Sequence, residues 1–336
     1  MQLSLDQFSL LCLYSAMAVY ALAFIAYAVD LAGRASASVL AEPETAVTTV
    51  DARRRSAPLR IGVALTVLGW LLHLTAAITR GVTAGRVPWA NMYEFAMTGT
   101  LVMMTVFLVV LGVMKQDLRF VGTFMTGLIV VFLGLSAVNF YVSPTPLPPA
   151  LQSPWLIIHV FVATSAVGFF SVGFALSVLQ LMQARRETRA RQETLARQEA
   201  QARQEAQARQ EAQPRQETPA RDIPKRSFLT SLPDPETLER LAYRVNIVGF
   251  ILWTFTLMAG AIWAEKAWGR YWGWDTKEVW TFIIWVVWAG YLHARSTRGW
   301  RGTRSSWLAI VGFTTIIFNF TIVNLFFKGL HAYSGL

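Results

Sequence analysis

The stretch Tyr93-Glu-Phe-Ala-Met-Thr-Gly-Thr-Leu-Val-Met-Met-Thr-Val-Phe-Leu-Val-Val-Leu-Gly-Val-Met114 decides the fold of this chain. Its one charge, Glu94, stands at the start, and everything after it is uncharged. A helix of about 20 apolar residues crosses the hydrocarbon core of a bilayer. Seven further apolar runs follow the same pattern: Phe8–Val29, Ile61–Ile78, Phe120–Val142, Trp155–Met182, Tyr243–Trp263, Val279–His293 and Ser306–Phe327. Val279–His293 is short, and flanking Trp and Arg residues extend it at both ends. At 54% hydrophobic over 336 residues, the chain is too evenly apolar for a soluble domain of its size. The expected fold is an all-α, polytopic membrane helix bundle of about eight transmembrane helices. Residues 1–183 carry the first five, 184–240 form a low-complexity loop, and 241–336 carry the last three.

Basic residues set the orientation, because Lys and Arg collect on the cytoplasmic side. Arg34, Arg53, Arg54, Arg55 and Arg60 follow the first run, and Lys115 and Arg119 the third. An arginine-rich segment follows the fifth, and Arg295, Arg298, Arg301 and Arg304 follow the seventh. Both termini are therefore expected outside. No Lys or Arg precedes Arg34, so the first run lacks the basic start of a signal peptide and is expected to be retained. The net charge of +10 lies mostly in cytoplasmic loops, where anionic lipid attracts it, and requires no nucleic acid. The one cysteine, Cys12, lies in the first run as packing. There is no Cys-x-x-Cys-His for covalent haem attachment to this chain.

From Arg191 to Arg221 a six-residue unit of the type Arg-Gln-Glu-Ala-Gln-Ala repeats. Glu193, Glu199, Glu205 and Glu211 each precede an arginine by four residues, the favourable helical order. The run is able to continue the fifth span as a helix until Pro214, Pro219 and Pro224 break it. It has no apolar stripe to dock and reads as a tolerated repeat.

The densest local feature is Trp263-Ala-Glu-Lys-Ala-Trp-Gly-Arg-Tyr-Trp-Gly-Trp-Asp-Thr-Lys-Glu-Val-Trp280. It concentrates five tryptophans, one tyrosine and six charges between two apolar runs. An interfacial aromatic belt needs only one or two rings per helix end. Rings this dense, with Gly269 and Gly273 among them, suit a flat platform for a planar apolar ligand, and an unusually rich interfacial belt on an ordinary loop is the alternative on composition alone.

This stretch resembles the tryptophan-rich WWD signature of haem-handling proteins, and within them the CcsA/ResC family (CcsB in some bacterial naming) of cytochrome c biogenesis. Trp70-Leu-Leu-His73, Pro88-Trp-Ala-Asn-Met-Tyr-Glu94 and Gly329-Leu-His-Ala-Tyr-Ser-Gly335 resemble the family too. Thr276 departs from it, since proline usually follows the aspartate there. The resemblance implies haem b as the transported and attached substrate. It also implies a CcsB/ResB-type membrane partner, an apocytochrome c, and the bacterial plasma membrane with an extracytoplasmic haem site. The WWD segment would bind the porphyrin, with Trp268, Trp272, Gly273, Trp274 and Asp275 as the matching residues. Arg270 and Lys277 suit its propionates by charge.

The four histidines are His73, His159, His293 and His331. An ionisable side chain in a span is costly and tends to be functional, and histidine commonly ligates haem iron. His159 begins the fifth span and His331 follows the eighth, both on the side of the Trp-rich loop. The resemblance matches them to an external pair of haem-ligating histidines. His293 lies 18 residues beyond Asp275, a helical distance of about 27 Å that takes it to the other membrane face. The resemblance matches it to an intramembrane haem ligand completed by the partner. His73 is the alternative ligand within this chain, with packing as its other role. Glu94 and Glu278 sit at span ends, where a structural role is expected and a proton relay is the alternative. No nucleophile, phosphate loop or metal cluster beyond the histidines is present. The expected function is haem presentation and attachment to apocytochrome c. The alternatives are a haem-b electron-transfer subunit, a haem transporter without ligation activity and a structural assembly factor.

Overall fold

The computed structural model describes residues 4–37, 56–114, 116–145, 152–211, 229, 232–297, 299–327 and 329–330. His331, residues 53–55, Lys115, Arg298, Pro214, Pro219 and Pro224 lie outside the described residues. The elements are α1 (Leu5–Ala37), α2 (Ala57–Ala84), α3 (Met92–Val113), a 3-10 turn (Arg119–Val121) leading into α4 (Gly122–Asn139), α5 (Pro154–Glu211), α6 (Pro235–Trp268), α7 (Thr276–Ser296) and α8 (Thr303–Phe318). A π-helical turn (Asn319–Val323) and a last turn (Asn324–Phe326) extend α8. No strand occurs among the described residues.

The chain is an all-α, multi-pass membrane helix bundle. Among the described residues, seven helices are long and apolar enough to cross a bilayer; α7 is the expected span outside that set. Its 21 residues include Lys277, Glu278, His293 and Arg295. At 1.5 Å per residue it still reaches about 32 Å, the thickness of the hydrocarbon core.

One expected helix extension is present, and one boundary differs from the sequence expectation. Helix α5 runs on past Met182 to Glu211, since alanine, glutamine and spaced Glu–Arg pairs favour helix wherever nothing interrupts them. Helix α6 starts at Pro235, inside the stretch assigned to the loop, because Asp234 accepts the Thr237 N–H as N-cap and proline suits the first turn.

Packing divides into two large cores that share α5 and α6, with smaller clusters around Trp263 and around Tyr27. Around the first, α1 and α2 meet through Gly62 and Gly69, where an added Cβ would stand 2.9 and 2.8 Å from the rings of Tyr27 and Tyr20. Small residues let membrane helices approach closely where lipid supplies no hydrophobic drive. Met97, Phe107 and Ile129 complete this core. In the second, Phe170 of α5 stacks on Trp288 of α7 at 3.9 Å. Trp253, Ile284 and Phe313 close around that pair.

Polar groups gather at the two ends. At one, fully buried Glu94 accepts from Arg80 at 3.0 Å, Arg86 at 2.6 Å and the Ala90 N–H at 3.0 Å. Arg80 also donates to Asp6, and Tyr141 to the same carboxylate. One carboxylate alone would leave excess buried cation; Asp6 balances it. At the other end, Ser305 donates to Glu239 at 2.8 Å and Arg295 pairs with the same group at 3.4 Å.

Candidate functional site

A cavity of about 250 Å³ opens at the Glu94 end, between the starts of α3 and α5 and the ends of α6 and α8. Its walls are mostly apolar and include the aromatic rings of Trp89, Phe95, Trp253, Trp263, Phe313 and Phe320. Phe95 of α3 stacks on Phe320 at 5.6 Å, which joins the N-terminal and C-terminal halves across it. Polar groups also reach the lining, among them His159, Thr256, Lys277, Glu278, Asn319 and Asn324. Apolar walls with a few convergent polar groups mark small-molecule sites.

His159 stands in the first turns of α5, half-buried on that wall. Its Nδ1 lies 3.0 Å from the Thr256 carbonyl oxygen. A carbonyl only accepts, so Nδ1 carries the hydrogen. This arrangement fixes the tautomer and rotation of a ligating imidazole. The ring stacks on Trp263, centroids 6.0 Å apart and planes 19° from parallel. Gly260 makes the room: a Cβ there would stand 2.8 Å from His159 Cε1.

The tryptophan loop roofs the cavity. Helix α6 ends at Gly269, whose φ of 70° supplies the left-handed C-cap. Asp275 then caps α7 in a reciprocal capping box with Glu278. Thr276 is the first residue of α7, a position where proline is well tolerated, so the departure at 276 leaves the helix start intact. Asp275 Oδ1 also accepts the Leu330 N–H at 3.1 Å, so the loop aspartate ties down the chain beyond α8. A Cβ on Gly329 would collide with that same oxygen. Lys277 Nζ donates to the side chain of Asn324 and lies 3.5 Å from the Asn319 carbonyl oxygen. The π-helical turn offers the Asn319 acceptor and the last turn offers the Asn324 acceptor, and π-turns recur at functional sites.

Residues 89–331 match the family described as Cytochrome C assembly protein. The chain is 34% identical over 281 residues to "Cytochrome c biogenesis protein CcsA" of Guillardia theta, covering 82% of this chain and 86% of that one. The protein of the same description from Synechocystis sp. is 34% identical over 293 residues, covering 78% and 84%.

This chain belongs to the CcsA family.

Its role is in cytochrome c biogenesis. Among solved structures, "Cytochrome c Heme Lyase CcmF" shares the fold, with a TM-score of 0.57, 16% identity, and coverage of 95% of this chain and 47% of that one.

The structure distributes the residues singled out in a CcsA sequence unevenly. His159 and Trp272 line the cavity. Trp268 packs edge-on against Trp263 at 4.8 Å, behind the wall. Trp274 is 78% exposed and meets Trp272 edge-on at 6.0 Å. Gly273 leaves the space over which the Arg270 guanidinium folds. His293 is exposed in the last turn of α7, two residues before the Arg295 that pairs with Glu239 at the other end. His73 is fully buried in the first core, its Nε2 2.9 Å from the Met97 carbonyl oxygen, and does not line the cavity. His331 lies outside the described residues.

Sequence reasoning missed Thr256, Gly260, Asn319 and Asn324. Thr256 is one of several polar residues in its span, and Gly260 has no side chain to draw notice. The two asparagines late in an apolar run were the available signal.

Proposed function

We propose that this chain receives haem b as its substrate from the inner side of the bacterial plasma membrane and presents it on the outer side for attachment to apocytochrome c. A CcsB/ResB-type membrane protein works with it. The Trp-rich loop and both termini then face outward. The observation that carries this reading is His159. Its Nδ1–H is held by the Thr256 carbonyl, and its ring stands at an apolar, tryptophan-lined cavity in a space that Gly260 leaves open. An oriented imidazole in an aromatic cavity suits iron ligation and a porphyrin face. Asp275, by holding Leu330, restrains the chain one residue before His331, the second ligand of the outer site. Lys277 on the cavity wall and Arg270 above it suit the two propionates.

In the reaction each cysteine thiol of the apocytochrome adds across one vinyl group of the haem. The sulfur bonds to one vinyl carbon and the thiol hydrogen ends on the other, with no net oxidation. The protein's part is orientation: histidines for the iron, aromatic rings for the porphyrin face, cations for the propionates. His293, exposed at the opposite end, ligates haem on entry with a partner residue on its other side.

The absorption spectrum of the purified protein, alone and with its partner, tests the proposal. His159→Ala strips haem from the outer site and stops holocytochrome c formation, and added imidazole partly restores it. His293→Ala lowers haem at both positions, whereas His159→Ala leaves the inner haem in place. Normal maturation in His159→Ala refutes the outer site. A tightly held, redox-active haem that never reaches a cytochrome points to electron transfer instead.

A further inference from the structure

Glu278 is 8% exposed, and its two oxygens have different surroundings. Oε2 accepts the backbone N–H of Gly273 at 2.7 Å and that of Asp275 at 3.1 Å. Those amides flank Trp274. Trp274 is the one non-glycine residue with a left-handed backbone among the described residues, at φ 59°. A side chain there crowds the neighbouring carbonyl, so the conformation needs outside support. Oε1 is buried without a hydrogen-bond partner among the described residues, on a residue that lines the cavity. The bonds of Oε2 span one residue, and the rings on either side part company. Trp272 lines the cavity, and Trp274 stands out of it at 89° to its neighbour.

We infer that Glu278 is the positioning residue of the tryptophan loop. By holding the amides on both sides of Trp274 it keeps that residue left-handed, and so sets the Trp272 ring toward the cavity and the Trp274 ring toward the outer surface. Its function rests on the proposal that this loop presents haem. The clamp itself does not. The capping box alone is an insufficient description, because it accounts for the bond to Asp275 and not for the shorter one to Gly273. The role needs an acceptor at the reach of a glutamate from the first turn of α7. Glutamine keeps one such oxygen, and alanine keeps none.

The test compares Glu278→Ala and Glu278→Gln in the full chain in lipid nanodiscs. Hydrogen exchange of the Gly273 and Asp275 amides is read by mass spectrometry of the 269–277 segment, with haem absent, and holocytochrome c yield is read in cells at matched membrane levels. In Glu278→Ala both amides exchange about tenfold faster, the loss of roughly one hydrogen bond each. Yield falls by a similar factor. In Glu278→Gln both readouts stay within about threefold of the wild type, since the accepting oxygen remains. Unchanged exchange in Glu278→Ala overturns the clamp. Fast exchange with normal yield overturns its positioning role, as does a Gln variant as impaired as Ala. Absence of haem from the wild-type protein would defeat the haem proposal and leave the exchange result standing.

Discussion

His73 and His159 make the same first contact in two regions built differently. Each sets one ring nitrogen against a helix carbonyl, Met97 in one case and Thr256 in the other, at 2.9 and 3.0 Å. Around His73 the helices close completely. Tyr20 meets the ring edge-on at 6.1 Å, and Nδ1 is buried with no partner among the described residues. Around His159 an aromatic ring covers one face and the cavity opens beside it. The residue type and the backbone bond are common to both. What differs is the space beside the ring: His159 lines a cavity and His73 does not, which is the ground for proposing only His159 of the two as a ligand.

The strongest way to break this comparison is to take that space away. Gly260→Ala puts a methyl group 2.8 Å from His159 Cε1 and forces the imidazole or α6 to move. We expect outer-site haem and cytochrome c yield to fall by about tenfold or more, in line with the cost of overpacking a filled site. Gly290→Ala in α7, where nothing lies within 4 Å of the added Cβ, is the matched control and leaves both unchanged. Equal losses in the two variants would remove His159's cavity as the cause.

His73→Ala sharpens the comparison from the other side. It leaves a void in the first core, and stability falls by ~2–4 kcal/mol as measured by thermal unfolding in detergent. The haem spectrum of the protein that remains folded keeps its outer-site signature. A changed iron-ligand spectrum would return His73 to the set of ligands.

A smaller effect belongs to the end of the bundle opposite the cavity. The hydroxyl and N–H of Thr237 hold the Asp234 carboxylate below its ordinary range. A depressed carboxylate stabilises the folded state above its unfolded value and loses that contribution as pH falls through the folded one. Wild-type melting temperature therefore drops more than that of Asp234→Asn between pH 6 and pH 3. Parallel curves would deny the cap any role, and neither protein should show a pH effect on the cavity end from this source.

The smallest effect is expected for the arm that α5 projects beyond both cores. Residues from 186 to 207 on α5 are mostly exposed, and the Arg-Gln-Glu repeat has no apolar stripe. Deleting residues 191–219 should leave haem content and yield near wild type. Lost activity at normal membrane levels would give the arm a partner.

The apolar runs were legible because a bilayer accepts a helix only when nearly every side chain tolerates hydrocarbon. The hydropathy signal weakened at α7, where tryptophans and terminal charges dilute it although Ile284, Trp288 and Tyr291 are buried. The tryptophan loop was legible as a concentration of residue types. Its division of labour was not. Trp268, Trp272 and Trp274 read alike in sequence, yet one packs behind the wall, one lines the cavity and one stands outside it.

The amino-acid sequence by itself determined the multi-pass helical class, the site's end of the bundle and His159 as a candidate, since length, apolarity and residue type are local properties. Only the tertiary structure decided that Gly260 clears room for His159, that Asp275 holds Leu330 and that Glu278 grips the amides around Trp274. Gly260 and Leu330 lie 101 and 55 residues from their partners, so no local pattern announces them. Glu278 lies close in sequence to Trp274, but a carboxylate at a helix start reads as a cap. Its second bond appears only once the loop has folded back over the cavity.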